Sequence, residues 1–144
     1  MKRRLADKKV AAISTAIAVC ICATAEARSK AAEYLVNEEI AAACDGGGAI
    51  APEAVIEQDL TGDGRADLII SHEGITCAGG GRSNACGMQV CSVNFYVREG
   101  TLLKPNREML GVGVRVGEGA VPDIQMYRHG GGEGRVRWNG QTFR

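Results

Sequence analysis

Aromatic residues are scarce in this sequence of 144 residues, and neither sign of charge is in excess. Phe, Trp and Tyr make up 4% of the chain, and 17 basic residues balance 17 acidic ones. Without a basic excess, the composition gives no indication of a nucleic-acid partner, which would need a positively charged face. With so few aromatic rings, we expect most of them in the core rather than on a sugar-binding surface.

Familiar catalytic motifs are also missing. There is no Gly-x-Ser-x-Gly elbow, and the glycine-rich segment Gly79–Arg82 lacks the Lys-Ser/Thr pair of a phosphate-binding loop. His72 lies beside Glu73, but neighbours on a strand point to opposite faces, so they do not form a catalytic pair. His129 opens a glycine-rich turn. The sequence therefore predicts a protein without a catalytic site.

The longest apolar run is short and lies near the N-terminus. Val10–Ala23 follows the basic segment Met1–Val10 and precedes the small-x-small triplet Ala25–Ala27. This order predicts a secretory signal peptide over residues 1–27, cleaved before Arg28. A retained anchor is the alternative, but a spanning helix needs roughly 20 apolar residues and this run has about 14.

Removal of the signal peptide changes the charge of the chain. Residues 1–27 hold five of the 17 basic and two of the 17 acidic residues, so 12 basic and 15 acidic residues remain. We expect residues 28–144 to form a single domain that is periplasmic or secreted and does not insert into the membrane after cleavage. The sequence leaves the oligomeric state open.

Cysteine usage points to the same compartment. Two of the six cysteines belong to the signal peptide, and the four that remain are Cys44, Cys77, Cys86 and Cys91. An even number in a small exported domain predicts two disulfides, and the spacing matches no common zinc site. Of the three possible pairings we favour Cys77 with Cys86, across the glycine-rich loop, and Cys44 with Cys91.

One helix is evident from the pattern. Ser29–Cys44 has a capping serine at its start and the glycine-rich segment Asp45–Gly48 at its end. Its apolar residues recur at helical spacing and predict one buried stripe. They are Ala32, Leu35, Val36, Ile40 and Ala43.

After residue 45 the periodicity is that of strands. The fold class predicted is α+β, mainly β, with an N-terminal helix followed by a disulfide-stabilised antiparallel β-meander, because the connections are too short for parallel crossovers. Asn139-Gly140 indicates a hairpin closed by a type I′ turn. The strand candidates are Ala54–Gln58, Leu68–Ile70, Val90–Arg98, Thr101–Lys104, Leu110–Val116, Asp123–Tyr127, Arg135–Trp138 and Gln141–Arg144.

The segment with the most specific chemistry is Asp59–Asp67. Oxygen-bearing side chains fall at its positions 1, 3, 5 and 9, and glycine falls at position 6. Calcium is coordinated by six to eight oxygens, and a tightly curled loop can point alternate side chains at one ion. An acidic surface turn is the alternative. The predicted calcium ligands are the side chains of Asp59, Thr61, Asp63 and Asp67 and the backbone carbonyl of Arg65.

This segment resembles the calcium loops of FG-GAP repeats, in which Asp-x-Asn/Asp-Gly-Asp-Gly-x-x-Asp precedes an apolar strand. Thr61 departs from that pattern, and Ile70 stands where an EF-hand has its bidentate glutamate. With Cys77, Cys86-Gly87 and Trp138-Asn139-Gly140, the region 59–144 also resembles a group of small uncharacterised exported proteins of Gram-negative bacteria. That second resemblance implies no particular activity.

The functional hypothesis is an exported calcium-binding β-domain that acts as a binding or structural module and not as an enzyme. Its expected partner is a protein or glycan of the cell envelope. A periplasmic inhibitor or accessory protein of an envelope enzyme, such as a lysozyme, is one alternative. A metal-dependent hydrolase that uses the calcium site with His72 or His129 is the second.

Overall fold

The computed structural model describes residues 27–144, so the predicted signal peptide lies outside the described residues except for Ala27. One helix and eight strands follow in chain order, and no helix in this range is long and apolar enough to cross a membrane. They are α1 (Lys30–Ala43), β1 (Gly48–Ile50), β2 (Val55–Gln58), β3 (Asp67–Ser71), β4 (Ile75–Cys77), β5 (Cys91–Glu99), β6 (Leu102–Val116), β7 (Ile124–Tyr127) and β8 (Glu133–Val136).

Six of the strands form one antiparallel sheet in the order β2-β3-β5-β6-β7-β8, and β1 pairs with β4 in a separate ribbon. Two single-turn 3₁₀ helices are present: Pro52–Ala54 directly precedes β2, and His72–Gly74 directly precedes β4. The predicted class, a helix followed by antiparallel sheet with two disulfides, is confirmed.

Helix α1 covers part of one face of the large sheet. The Ser29 hydroxyl accepts a hydrogen bond from the backbone N–H of Ala32 at 3.2 Å, which caps the helix as predicted. The apolar stripe buries Val36 and Ile40 against Leu68 and Ile70 of β3. The helix is therefore held by hydrophobic contact with the sheet, since an isolated helix of this length is marginal in water.

Strand β3 is buried on both of its faces. Leu68 and Ile70 contact α1, whereas Ile69 faces a second core with Phe95 and Phe143 on the opposite side of the sheet. All five residues of the strand are buried. The predicted strand Leu68–Ile70 is thus confirmed, and its unbroken apolar run lies between two cores.

Strand β6 is longer than expected. The two separate candidates, Thr101–Lys104 without its first residue and Leu110–Val116, belong to one strand of 15 residues. Pairing with β5 continues past Pro105, and the register shifts between Phe95 and Tyr96 opposite it. The irregularity accommodates a residue that cannot donate a backbone hydrogen bond to the ladder.

The two disulfides join Cys44 to Cys77 and Cys86 to Cys91, so the favoured pairing was wrong. Pairing of β1 with β4 places Gly48 opposite Cys77. Cys44 follows the last residue of α1, and its Cα atom lies 5.3 Å from that of Cys77. The register of β1 with β4 therefore determines which cysteines form disulfides, and each of these two strands has only three residues. Two disulfides indicate an oxidising compartment.

The predicted strand Gln141–Arg144 is absent: the C-terminal residues fold back on the segment after β8 through one isolated bridge, between Trp138 and Phe143, and the turn differs from the predicted type. Arg137 and Arg144 exchange two backbone hydrogen bonds of 3.0 and 3.2 Å. Among the described residues only glycines have positive φ, so Asn139 does not adopt the conformation that a type I′ turn requires. Instead its side-chain oxygen accepts the N–H groups of Gln141 and Thr142, both at 2.9 Å, in a four-residue turn.

Candidate calcium loop and buried polar network

The loop from Asp59 to Asp67 begins just after β2 and ends at the first residue of β3. Gly62 and Gly64 both have φ of +81°, which makes the chain curl tightly at the tip of the loop. Gly62 also lies against the segment that precedes β7. A Cβ atom on it would stand 2.8 Å from Cγ2 of Val121 and 3.2 Å from the carbonyl oxygen of Ala120.

Asp59 closes the loop through hydrogen bonds to the backbone. Its Oδ1 accepts the N–H groups of Thr61 at 3.1 Å and Gly62 at 2.7 Å, and its Oδ2 accepts that of Gly64 at 2.8 Å. These bonds hold the Asp59 carboxylate at the inside of the curl.

Asp63 is exposed at the tip and pairs with Arg65. Its Oδ2 accepts from Nη2 of Arg65 at 2.7 Å and from Nε at 3.1 Å, and its Oδ1 accepts the Arg65 backbone N–H at 2.9 Å. The hydrogen bonds from the Arg65 side chain and backbone lower the pKa of Asp63 below its ordinary value. The Arg65 guanidinium is therefore bound to the carboxylate of Asp63, which is one of the predicted calcium ligands.

Asp67 points into the fold and is fully buried. Its Oδ2 accepts the N–H of Leu60 at 3.0 Å, and its Oδ1 accepts the N–H of Arg98 on β5 at 2.9 Å. Both oxygens thus fix the base of the loop to the sheet. Within residues 27–144, no three His, Cys, Asp or Glu side chains gather into a group that could hold a metal ion.

Thr61, at position 3 of the loop, is the residue with an unmet hydrogen-bonding requirement. Its Oγ1 is buried and makes no hydrogen bond of normal geometry within the described part of the chain, although the Thr61 side chain lies close enough to Asp63 to help lower the pKa of that carboxyl. A buried hydroxyl without a partner is unfavourable, and a ligand bound at the curl would supply the missing contact. Of the predicted ligands, Thr61 thus keeps an unsatisfied hydroxyl, whereas both oxygens of Asp67 are used by the fold.

A second polar site, which the sequence did not reveal, lies beneath α1. His72 is buried, with its Nδ1 2.8 Å from Oγ of Ser83 and its Nε2 2.9 Å from Oε2 of Glu39. In the neutral imidazole, Nε2–H donates a hydrogen bond to the Glu39 carboxylate, so Nδ1 accepts a hydrogen bond from the Ser83 hydroxyl. Ser83, His72 and Glu39 are thus hydrogen-bonded in the sequence hydroxyl, imidazole, carboxylate. We refer to these three side chains as the buried relay.

The carboxylate of Glu39 is the centre of this network. Its other oxygen accepts from Nδ2 of Asn94 at 2.8 Å and from the hydroxyl of Tyr96. Burial by itself raises the pKa of Glu39, but the hydrogen bonds from His72, Tyr96 and Asn94 outweigh it and hold the pKa below its ordinary value. Burial, together with the bond to Glu39, raises the pKa of Tyr96 well above its usual range.

Ser83 lacks the access that a nucleophile needs. Its side chain is 2% exposed, and its Oγ also accepts the backbone N–H of Ala85 at 3.1 Å. A reacting carbonyl must come within about 3 Å of the attacking atom. In this arrangement the buried relay ties the loop after β4 to the sheet and the helix.

One signal could have revealed part of the network. Glu39 follows Val36 by three residues and so lies beside the buried stripe of α1, where a carboxylate requires partners. Nothing local distinguished Ser83. The other candidate, His129, is exposed in the turn between β7 and β8, and its neighbour Gly130 donates its N–H to the side chain of Gln89 at 2.9 Å.

The chain matches no family model, no curated protein and no solved structure.

Proposed function

We propose that this chain is an exported, non-enzymatic binding module whose Asp59–Asp67 loop takes a calcium ion. The periplasm or the extracellular space is the proposed location, and a protein or glycan of the cell envelope is the proposed partner. The oxidising compartment that two disulfides indicate and the signal-peptide pattern of residues 1–27 both support export.

The observation that carries the calcium proposal is the buried Oγ1 of Thr61, which lies beside the Asp63 carboxylate and makes no hydrogen bond of normal geometry within residues 27–144. It stands at position 3 of the loop, between the carboxylates of Asp59 and Asp63 at positions 1 and 5. Calcium prefers oxygen ligands, and Oδ2 of Asp59 and Oδ1 of Asp63 each accept only one hydrogen bond and so keep a lone pair for an ion. A bound ion would strengthen the curl and contribute to stability rather than to catalysis.

Calcium binding is tested by isothermal titration of the purified protein after treatment with a chelator. We expect saturable binding and a rise in melting temperature with calcium, because a ligand that binds the folded state stabilises it. Thr61→Val, which keeps the shape of the side chain and removes its oxygen, is expected to weaken binding. An unchanged melting temperature in millimolar calcium would refute the proposal.

Arg65→Gln provides the matched variant. The Arg65 guanidinium competes with a cation for Asp63, so its removal is expected to raise calcium affinity several-fold, whereas Arg107→Gln, remote in sequence, leaves it unchanged. If Arg65→Gln weakens calcium binding, then Arg65 supports the site through its side chain and our assignment of Asp63 as a ligand is wrong.

A hydrolase is the second candidate, and the buried relay is the observation that favours it. Its geometry would let His72 accept a proton from Ser83 while Glu39 holds the required tautomer. Movement of the loop around Ser83 would have to precede any reaction, since the hydroxyl is buried. Labelling of Ser83 by a fluorophosphonate, abolished in His72→Gln, would support this function over the binding module.

An inhibitor or accessory role for an envelope enzyme also has one specific observation in its favour. The Cys86–Cys91 disulfide closes a short loop in which Met88 is fully exposed. A constrained loop with an exposed apolar side chain suits insertion into a cleft, because little entropy is lost when it binds. Inhibition of a lysozyme that is lost in Met88→Ser would support this role.

A further inference from the structure

A solvent-facing cavity of about 450 Å³ lies between the two 3₁₀ turns and strand β6. Its apolar lining comes from Ala51, Ala54 and Val114, and its acidic lining comes from Glu53 and Glu73. A small apolar pocket with a few polar groups is the usual form of a site that receives one side chain or a small ligand.

Ser71 is the polar group in this cavity whose hydrogen bonding is incomplete. The residue is 4% exposed, lines the cavity, and its Oγ has no partner anywhere in residues 27–144. Native proteins pair nearly all of their buried polar atoms with protein groups, water or a ligand. This hydroxyl is separate from the calcium loop and from the buried relay, so neither of those sites accounts for it.

The carboxylate of Glu73 is held in place by the sheet. Its Oε2 accepts the backbone N–H of Gly113 at 2.7 Å. Gly113 has a φ of +64° and lies where the register of β6 with β7 shifts between Val112 and Arg115. The irregularity releases that N–H from the strand ladder, so the fold positions the carboxylate without neutralising it.

Both glutamates lack a cationic partner in the described structure. No nitrogen of a Lys, Arg or His side chain within residues 27–144 comes within 4.0 Å of the carboxylate of Glu53 or Glu73. The cavity therefore combines two unpaired negative charges, an apolar wall and a buried hydroxyl that can accept a hydrogen bond. A complementary ligand carries a positive charge on an aliphatic stem.

We infer that this cavity receives the Lys or Arg side chain of a basic partner protein. The aliphatic stem contacts Ala51, Ala54 and Val114, and the ammonium or guanidinium group binds Glu53 and Glu73. Rotation of the Ser71 side chain, whose Oγ is inaccessible to solvent here, lets the same group donate a hydrogen bond to that hydroxyl. This inference deepens the proposed function, on which it rests, by naming the chemistry of the partner. It does not require an ion in the Asp59–Asp67 loop.

The inference is tested by NMR titration of the purified, ¹⁵N-labelled protein at pH 7. The probes are n-butylammonium, its neutral isostere n-butanol, and two blocked tripeptides, Gly-Lys-Gly and Gly-Gln-Gly. We expect saturable shifts of the Ser71, Glu73 and Gly113 amides with the lysine peptide and butylammonium. Raised salt should weaken both, because the charges are partly exposed.

Substitutions assign the binding to this cavity. Glu73→Gln keeps an oxygen for the Gly113 N–H but removes the charge, and it is expected to weaken binding of the lysine peptide about fivefold, as is Glu53→Gln. Ser71→Ala is expected to weaken binding about threefold. Glu38→Gln, an exposed carboxylate on α1, is the matched control and is expected to leave the affinity unchanged.

Three outcomes would overturn the inference. They are equal shifts with butanol and butylammonium, unchanged affinity in both glutamate variants, and binding of butylammonium without the lysine peptide, which would assign the cavity to free amines. Each titration is run with calcium and with chelator. Loss of lysine-peptide binding together with normal calcium binding would refute only this inference, and the reverse result would refute only the calcium loop.

Discussion

Glu39 on α1 and His72 after β3 are 33 positions apart in the sequence, yet Oε2 of Glu39 lies 2.9 Å from Nε2 of His72. The contact joins the helix to the sheet through a carboxylate that is only partly exposed to solvent. Hydrogen bonds from three side chains stabilise the ionised form of Glu39 and lower its pKa below the ordinary value of 4.5. The protonation of this one residue is therefore linked to folding.

The first prediction concerns acid stability. Because the pKa of Glu39 is lower in the folded state than in the unfolded chain, its contribution is fully present above the unfolded value and is lost as the pH falls through the folded value. We expect Glu39→Gln to reduce the loss of stability between neutral pH and pH 3, measured by urea denaturation at each pH. Glu38→Gln, its exposed neighbour, should keep the wild-type dependence.

Removal of both carboxylate oxygens of Glu39 is expected to lower the free energy of unfolding more than Glu39→Gln does. Glu39→Ala leaves His72, Asn94 and Tyr96 without their shared partner, and the expected loss is about 3 kcal/mol at neutral pH, given the usual cost of unpaired buried polar groups. A loss below about 0.5 kcal/mol, the level of ordinary surface substitutions, would show that the network contributes little to folding.

The second prediction compares the two disulfides. Cys44–Cys77 closes a loop with a sequence separation of 33, and Cys86–Cys91 closes one with a separation of 5. In the chain-entropy model these closures stabilise the fold by about 4 and about 2 kcal/mol respectively. Urea denaturation of the double variants Cys44→Ala/Cys77→Ala and Cys86→Ala/Cys91→Ala tests the ratio. Equal losses would show that strain or residual structure outweighs the entropy of closure.

Local periodicity predicted the elements that local contacts determine. Helix α1 has a capping residue and a helical stripe, β3 has an unbroken apolar run, and β5 alternates, so each could be identified from its own residues. The disulfide pairing could not be identified, because it depends on how the short strands β1 and β4 come together. The buried relay was missed for the same reason, since its members meet only in the folded chain.

The Asp59–Asp67 loop shows where prediction from spacing is incomplete. The spacing identified a curled acidic loop, and the positive φ angles of Gly62 and Gly64 agree with that expectation. Spacing alone cannot show that one carboxylate turns inward, as Asp67 does, because the direction depends on the N–H of Arg98 on another strand. A sequence pattern predicts which side-chain oxygens lie near one another. It does not predict which of them already accept hydrogen bonds from the rest of the fold.

The third prediction therefore concerns Asp67. Asp67→Asn retains one acceptor oxygen and turns an NH₂ group toward a second N–H donor, so one buried backbone donor loses its partner. We expect a loss of about 2–3 kcal/mol in urea denaturation, since the lost bond is charge-assisted and buried. Asp45→Asn, at an exposed site beyond α1, serves as the control. A loss seen only when calcium is present would instead make Asp67 a ligand.

The last prediction uses two glycines with the same backbone conformation and different surroundings. Gly62 and Gly64 both have φ of +81°, but a Cβ on Gly62 would stand 2.8 Å from Cγ2 of Val121, whereas one on Gly64 would meet nothing within 4 Å. Gly64→Ala should cost only the conformational strain, about 1 kcal/mol. Gly62→Ala carries that strain together with a steric conflict, and its loss should exceed that of Gly64→Ala by about 1 kcal/mol or more.

A double-mutant cycle isolates the steric part. Val121→Ala removes the methyl groups that a Cβ on Gly62 would strike, so Gly62→Ala should cost less in the Val121→Ala background than in the wild type. Gly64→Ala should cost the same in both backgrounds, because its Cβ would face open space. Urea denaturation of these variants with chelator excludes any effect of an ion. Additive losses for Gly62 and Val121 would mean that the loop stands clear of the segment before β7 in solution.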